Sequence, residues 1–162
     1  MEPGGPARPW GRAARHAQGD RMNSEHLISE LGRALGIELK LSEAGTCGVF
    51  FDDDEIIFES HDGQLYLIAD LGPAEGREDA YGRLLAANCL GRETGQAVLG
   101  VDANRGEFTL HRILGGDMGY PKFEKILTLF VQAVRYWKEW LALPRAEGEG
   151  SARQLPTDGL RV

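Results

Sequence analysis

The chain reads as an α+β protein, an antiparallel twisted sheet carrying three helices in the order α-β-β-β-α-β-β-α. Three observations predict it. Apolar residues recur at helical spacing in three separated stretches, and they gather at strand density in five short runs. Turn formers such as Asp62-Gly63 lie between neighbouring runs, as hairpins require. The regular strand–helix–strand alternation that builds a parallel sheet is missing.

The first helix is expected over Asn23 to Gly36, where Leu27, Ile28, Leu31 and Leu35 share a face. Asn23 or Ser24 would cap it, and Gly36 would end it. Cys47 to Phe51, Ile56 to Glu59 and Gln64 to Asp70 then read as three strands, with the acidic run Asp52-Asp53-Asp54-Glu55 as a solvated hairpin tip between the first two. Gly72-Pro73 breaks that pattern. A second helix follows from Glu78 to Leu90, with acids at its start and Gly91 after its end. Ala97 to Val101 and Glu107 to Ile113 pair as a second hairpin around Asn104-Arg105-Gly106. The longest helix opens at Pro121 and stops at Pro144, with Phe123, Ile126, Leu127, Phe130, Val134, Trp137 and Leu141 on one broad face.

At 162 residues and 42% hydrophobic composition, the chain can bury one ordinary core without metal or disulfide support. Residues 1–21, rich in Gly, Pro, Ala and Arg, carry no aliphatic side chain larger than Ala before Met22. They read as a disordered leader, an upstream translated segment or an appended remnant. Residues 22–143 form the domain, and 144–162 read as a disordered tail. Cys47 and Cys89 make no CxxC pair, which fits a reducing, cytoplasmic compartment. No run approaches the ~20 apolar residues of a membrane span.

The formal charge is −7, but residues 22–143 alone hold 11 basic against 20 acidic side chains, a net of −9. Such a body repels nucleic-acid phosphates and anionic lipid heads, so neither nucleic acid nor membrane is expected as a partner; basic or neutral proteins are.

Chemistry is sparse. Clustered carboxylates at 52–55 suit a hard cation, yet the alternate-ligand spacing of a calcium loop is absent and Ile56-Ile57 follow at once. His16, His26, His61 and His111 stand in no motif with a nucleophile, and Cys89, beside Asn88 and Leu90, has no neighbouring base and reads as a packed thiol. Gly115-Gly116-Asp117-Met118-Gly119 lacks the Gly-Lys-Ser/Thr ending of a phosphate loop and reads as a connector. No catalytic residue, metal or other cofactor is expected, and the protein reads as a binding protein, not an enzyme.

One stretch is more specific. Leu84-Leu85-Ala86-Ala87-Asn88-Cys89-Leu90-Gly91, then Thr94-Gly95-Gln96-Ala97-Val98-Leu99-Gly100-Val101-Asp102, with Gly106-Glu107-Phe108-Thr109-Leu110 as partner strand, resembles the Tir chaperone (CesT) family of class I type III secretion chaperones. Leu27 to Gly36 resembles that family's first helix, and the likeness spans roughly residues 23–143. The resemblance implies a bacterial, cytoplasmic, virulence-associated homodimer formed through the second helix and adjoining strand, here Tyr81, Leu84, Leu85, Asn88 and Cys89. It implies one or more secreted effectors as partners, their N-terminal regions held extended and secretion-competent, without ATP or metal; secretion-apparatus components are further candidate partners. An extended guest can add to a sheet edge while its side chains fill apolar grooves, for which Ile28, Leu35, Phe50, Ile57 and Phe58 are the candidate effector-binding residues. Two rivals remain: a regulatory adaptor of the same fold that binds a folded partner, and a small acidic metal-dependent hydrolase using Asp52, Asp53, Asp54 and Glu55.

Overall fold

Two helices of 23 residues each frame the fold, α1 at Ala13–Leu35 and α3 at Tyr120–Ala142. The computed structural model describes the backbone of residues 13–144 and side chains from Asn23 onward. Between the helices lie β1 (Thr46–Phe51), β2 (Asp54–His61), β3 (Gln64–Pro73), the short helix α2 (Tyr81–Ala87), β4 (Val98–Asp102) and β5 (Glu107–Gly115). The strands form one antiparallel sheet in the order β1-β2-β3-β5-β4, so β1 and β4 are its edges.

The expected element order is the observed one, with three differences in detail. The first helix begins at Ala13, ten residues before the expected cap, so Asn23 sits inside it, donating from Nδ2 to Asp117 at 2.9 Å. Of the expected unstructured ends, residues 1–12 and 145–162 lie outside the described residues. The second helix is broken into 3-10 turns at Glu78–Ala80 and Cys89–Gly91 around α2, and at the second of these Leu90 takes a left-handed φ of 60° that α-helix cannot continue. The acidic run is not a solvated tip throughout. Only Asp52 and Asp53 form the turn; Asp54 already belongs to β2 and is buried against α3.

Local sequence explains the ends. α1 stops in a paired-bond motif at Gly36, whose φ of +71° places Ile37 N–H on the Gly32 carbonyl at 2.9 Å and Gly36 N–H on that of Arg33 at 3.2 Å. Gly32 itself has no room for a side chain, since a Cβ there would lie 2.7 Å from the Ile37 carbonyl oxygen. α3 starts with Pro121 in its first turn, where the missing N–H costs nothing.

α1 and α3 pack on each other and on one face of β2 and β3. That face carries Ile56, Phe58, Leu65, Leu67, Ala69, Phe108 and Leu110, which alternate with outward residues at period 2 and meet Leu27, Ile28, Leu31, Phe123, Phe130 and Trp137. α3 is also held electrostatically to the β1–β2 hairpin. Asp54 accepts from Lys138 Nζ at 2.8 Å and Arg135 Nε at 3.2 Å, and Arg135 reaches Asp52 as well.

Candidate functional site

Among the described residues neither edge of the sheet is paired with a further strand, and the two edges differ chemically. At β1, the two-residue turn makes Phe51 and Asp54 the closing pair of the hairpin. Main-chain groups alternate in direction along a strand, so Val49 and Cys47 point to β2 while Gly48 and Phe50 turn theirs outward. Thr46, of the same set, uses its outward carbonyl to accept from Ser42 N–H at 2.8 Å. Beyond it the edge at Gly48 and Phe50 is open, with the Phe50 ring 67% exposed beside it.

At β4 the edge is partly capped from within. The Asn88 side chain, at the end of α2, donates from Nδ2 to the Leu99 carbonyl at 3.0 Å and accepts the Leu99 N–H on Oδ1 at 2.8 Å. A side-chain amide thereby stands where a sixth strand would bond. Next to it runs an open, mostly apolar groove of about 230 Å³ between α2 and β4, lined by Tyr81, Leu84, Leu85, Asn88, Leu99 and Val101. Leu85 is 71% exposed and Leu90, just beyond, 70%. Tyr81 is anchored edge-on to Phe108, with ring centroids 5.9 Å apart, which fixes this wall of the groove.

A second, more polar groove of about 550 Å³ separates α1 from the segment after it, lined by Glu25, Ser29 and Arg33 on the helix and by residues 37–41. Ile37 is exposed in it, while Leu39 and Leu41 lean on the core. Alternation of Ile37, Leu39 and Leu41 with Glu38 and Lys40 was the signal available for this groove.

The sequence-predicted residues divide accordingly. Of the five groove candidates, Phe50 and Leu35 are exposed and Ile57 is half-buried, whereas Ile28 and Phe58 are sealed at 0% exposure. Ile28 lies where α1 meets α3 and β3, and Phe58 packs on Phe123 with centroids 6.2 Å apart; both are core and line no groove. Of the five interface candidates, Tyr81, Leu85 and Asn88 meet in the groove at β4, and Leu84 forms its buried floor. Cys89 is exposed, not a packed thiol; it lies in the 3-10 turn after α2, where the left-handed φ of Leu90 ends the helical face. Cys47 is half-buried on β1, and burial pushes its thiol up from the ordinary range.

His111 lies half-buried on β5, and desolvation lowers its imidazole below the usual range. Arg105 joins the β4–β5 turn to β3 through a two-pronged contact with Asp70 at 2.6 and 2.7 Å and a third bond to Asp102 at 2.7 Å. Among the described residues, no three His, Cys, Asp or Glu side chains gather as a metal-holding group, and Asp54 is committed to Arg135 and Lys138. Among the described residues no helix is long and apolar enough to cross a membrane.

Solved structures share this fold. The chain superposes on one from the HopA1-SchA chaperone-effector complex with a TM-score of 0.63 at 20% identity, covering 75% of this chain and 97% of that one. For a chain of the ExsC-ExsE complex the values are 0.64, 22%, 75% and 95%. For the Yersinia pestis type III secretion chaperone SycH in complex with a stable fragment of YscM2 they are 0.57, 19%, 70% and 98%. No curated protein sequence matches the chain. The family model for the Tir chaperone protein (CesT) family matches residues 26–138, from α1 through all five strands and into the last turns of α3. The chain therefore belongs to the Tir chaperone protein (CesT) family.

Proposed function

We propose that this protein is a type III secretion chaperone of the bacterial cytoplasm, a homodimer that holds the N-terminal region of a secreted effector as an extended chain. The observation that carries the reading is the contrast between the two edges. At β4, the Asn88 amide occupies the main chain of Leu99, so a partner there is offered side-chain surface, not a strand position. Tyr81, Leu85 and Val101 are exposed apolar residues on that surface, which suits a second copy bringing the same groove about a two-fold axis. Burying Leu85 from both copies contributes about 1.5–3 kcal/mol each.

At β1, Gly48 and Phe50 present N–H and C=O groups that no strand among the described residues bonds, the Gly48 carbonyl accepting only a long 4.0 Å contact from the Cys47 thiol, with an exposed aromatic ring alongside. An extended guest can add there as a strand, drawing affinity from main-chain bonds and specificity from side chains against Phe50, Leu35 and Ile37. Holding a disordered guest in this way needs no nucleotide and no metal, and the family is one of non-enzymatic chaperones.

Light scattering at micromolar concentration tests the first half, with a dimer expected for the protein and a folded monomer for Leu85→Glu. The second half is tested with the partner that copurifies from the native cell: protease should spare only an N-terminal segment of several tens of residues in it, and Gly48→Pro, which removes the outward N–H at β1, should weaken its retention without changing the dimer. A wild-type monomer, or a partner bound through a folded domain, would overturn the reading.

A further inference from the structure

α3 carries two faces. One meets the core through Phe123, Phe130, Val134 and Trp137. The other is a seam of Lys122, Lys125, Leu129, Gln132, Tyr136, Glu139 and Leu143, exposed at every position among the described residues. Its spacing alternates three and four residues, the period that keeps one line of side chains facing the same way along a helix. Leu129, Tyr136 and Leu143 fall one heptad apart and are 50%, 48% and 61% exposed. From Lys122 to Leu143 the seam is about 32 Å long at 1.5 Å per residue. Tyr136 is held firmly on it, because its ring stands edge-on to the buried Trp137 with centroids 5.1 Å apart.

The charges of the seam are sorted by end. Lys122 and Lys125 occupy the first two turns of α3 and Glu139 the last, and none of the three makes an ion pair among the described residues. The helix's other cations, Arg135 and Lys138, are already bonded to Asp52 and Asp54 of the β1–β2 hairpin.

Such an arrangement is complementary to itself. Laid antiparallel on a second copy about a two-fold axis, the seam brings Lys122 and Lys125 to Glu139 of the second copy at both ends, and Leu129 to its Tyr136 between them. Gln132 then lies near the axis, where an amide that both donates and accepts can bond its own counterpart. The parallel arrangement would set lysine against lysine and glutamate against glutamate. Helix dipoles favour the antiparallel sense as well.

The same contact is small. A single helix seam falls below the roughly 1,200 Å² of a stable interface, and a formal charge of −7 on each chain resists approach. Protein concentration therefore decides whether it forms.

From this we propose that the exposed seam of α3 pairs antiparallel with the same seam of a second copy, at a site separate from the groove between α2 and β4. The inference goes beyond the chaperone reading and does not rest on it. Where both contacts are made, two dimers join into a tetramer, or into a string if the two axes do not close.

Sedimentation at physiological salt, from roughly ten to several hundred micromolar, tests the proposal on the full chain and on Leu85→Glu, which leaves the α3 contact alone. In both, the average mass should rise with concentration toward or past twice its starting value. Lys122→Glu combined with Lys125→Glu makes the seam acidic at both ends, and Glu139→Lys makes it basic at both ends. Each variant by itself should raise the dissociation constant of this step at least tenfold, and an equal mixture of the two should regain the association, since an acidic seam then meets a basic one. All three positions are exposed, so the fold is unaffected. A mass that stays flat in both backgrounds, charge variants that associate as their parent does, or a mixture no heavier than its components overturns the proposal. The dimer at low micromolar concentration and its loss in Leu85→Glu report separately on the chaperone reading, and the seam variants should change neither.

Discussion

Replacing Asn88 by Ala tests whether a single side chain holds the β4 edge. The substitution removes two hydrogen bonds, of 2.8 and 3.0 Å, both partly buried. Each is worth ~0.5–1.5 kcal/mol net, and the lower half of the summed range applies because Leu99 lies on an edge where water can replace the amide. The expected loss is about 1–2 kcal/mol, or a melting temperature roughly 3–10 °C lower for a domain of this size. Bulk stability alone would not locate the effect, so the informative assay is amide hydrogen exchange. The Leu99 N–H points away from β5 and its one partner is Asn88 Oδ1, whereas Gly100 N–H, one residue on, points into the β4–β5 ladder. Asn88→Ala should speed exchange at Leu99 by about tenfold or more beyond the change at Gly100. Asn88→Asp sharpens the contrast: it keeps the acceptor for Leu99 N–H but sets a carboxylate oxygen against the Leu99 carbonyl, so it should be less stable than Ala at pH 7 and recover on acidification. Leu99 and Gly100 amides slowed or quickened equally in Asn88→Ala would refute the idea that this side chain closes the edge.

Three other perturbations have outcomes fixed by the same geometry. Asp54→Asn should cost about 1–2 kcal/mol in urea unfolding, since it leaves Arg135 and Lys138, themselves partly exposed, to return to water, and the penalty should shrink in high salt. Because burial holds His111 below the ordinary imidazole value of 6.5, the unfolded chain binds more protons as pH falls from there. His111 therefore contributes stability fully above about pH 6.5 that drains away as pH drops through its lowered value, and His111→Gln should lose less stability than the wild type between pH 7.5 and 5.5 in paired urea titrations. Leu90→Gly should relieve a left-handed backbone and hold or raise the melting temperature of a monomeric Leu85→Glu background by up to ~1 kcal/mol equivalent, while weakening the dimer of the otherwise wild-type chain in light scattering, because Leu90 lies 70% exposed beside Leu85.

Much of this was legible in the residues themselves. Helical spacing, the Asp62-Gly63 turn, Gly36 after the last turn of α1 and Pro121 in the first turn of α3 are local signals, and local backbone energetics honoured each of them. The segment from Leu84 to Asp102 was legible for the same reason: it is one continuous run in which α2, the Asn88 amide and β4 fold against each other within some twenty residues.

Tertiary structure decided what periodicity leaves undetermined. Ile28 and Leu35 share one helical face, yet only the first is buried in the core; Ile57 and Phe58 are neighbours on one strand, yet they point to opposite sides of the sheet, and nothing within the strand says which side the helices will cover. The partners of Asp54 lie more than eighty residues away, so its run of acids looked solvated until α3 was laid across it. The sheet face away from the helices, uncovered among the described residues, is the extreme case. Its line from Val98 through His111 and Ile68 to Ile57 exists only in the register of four strands, because residues in a row across a sheet are set side by side by hydrogen bonds between strands and not by any spacing along the chain.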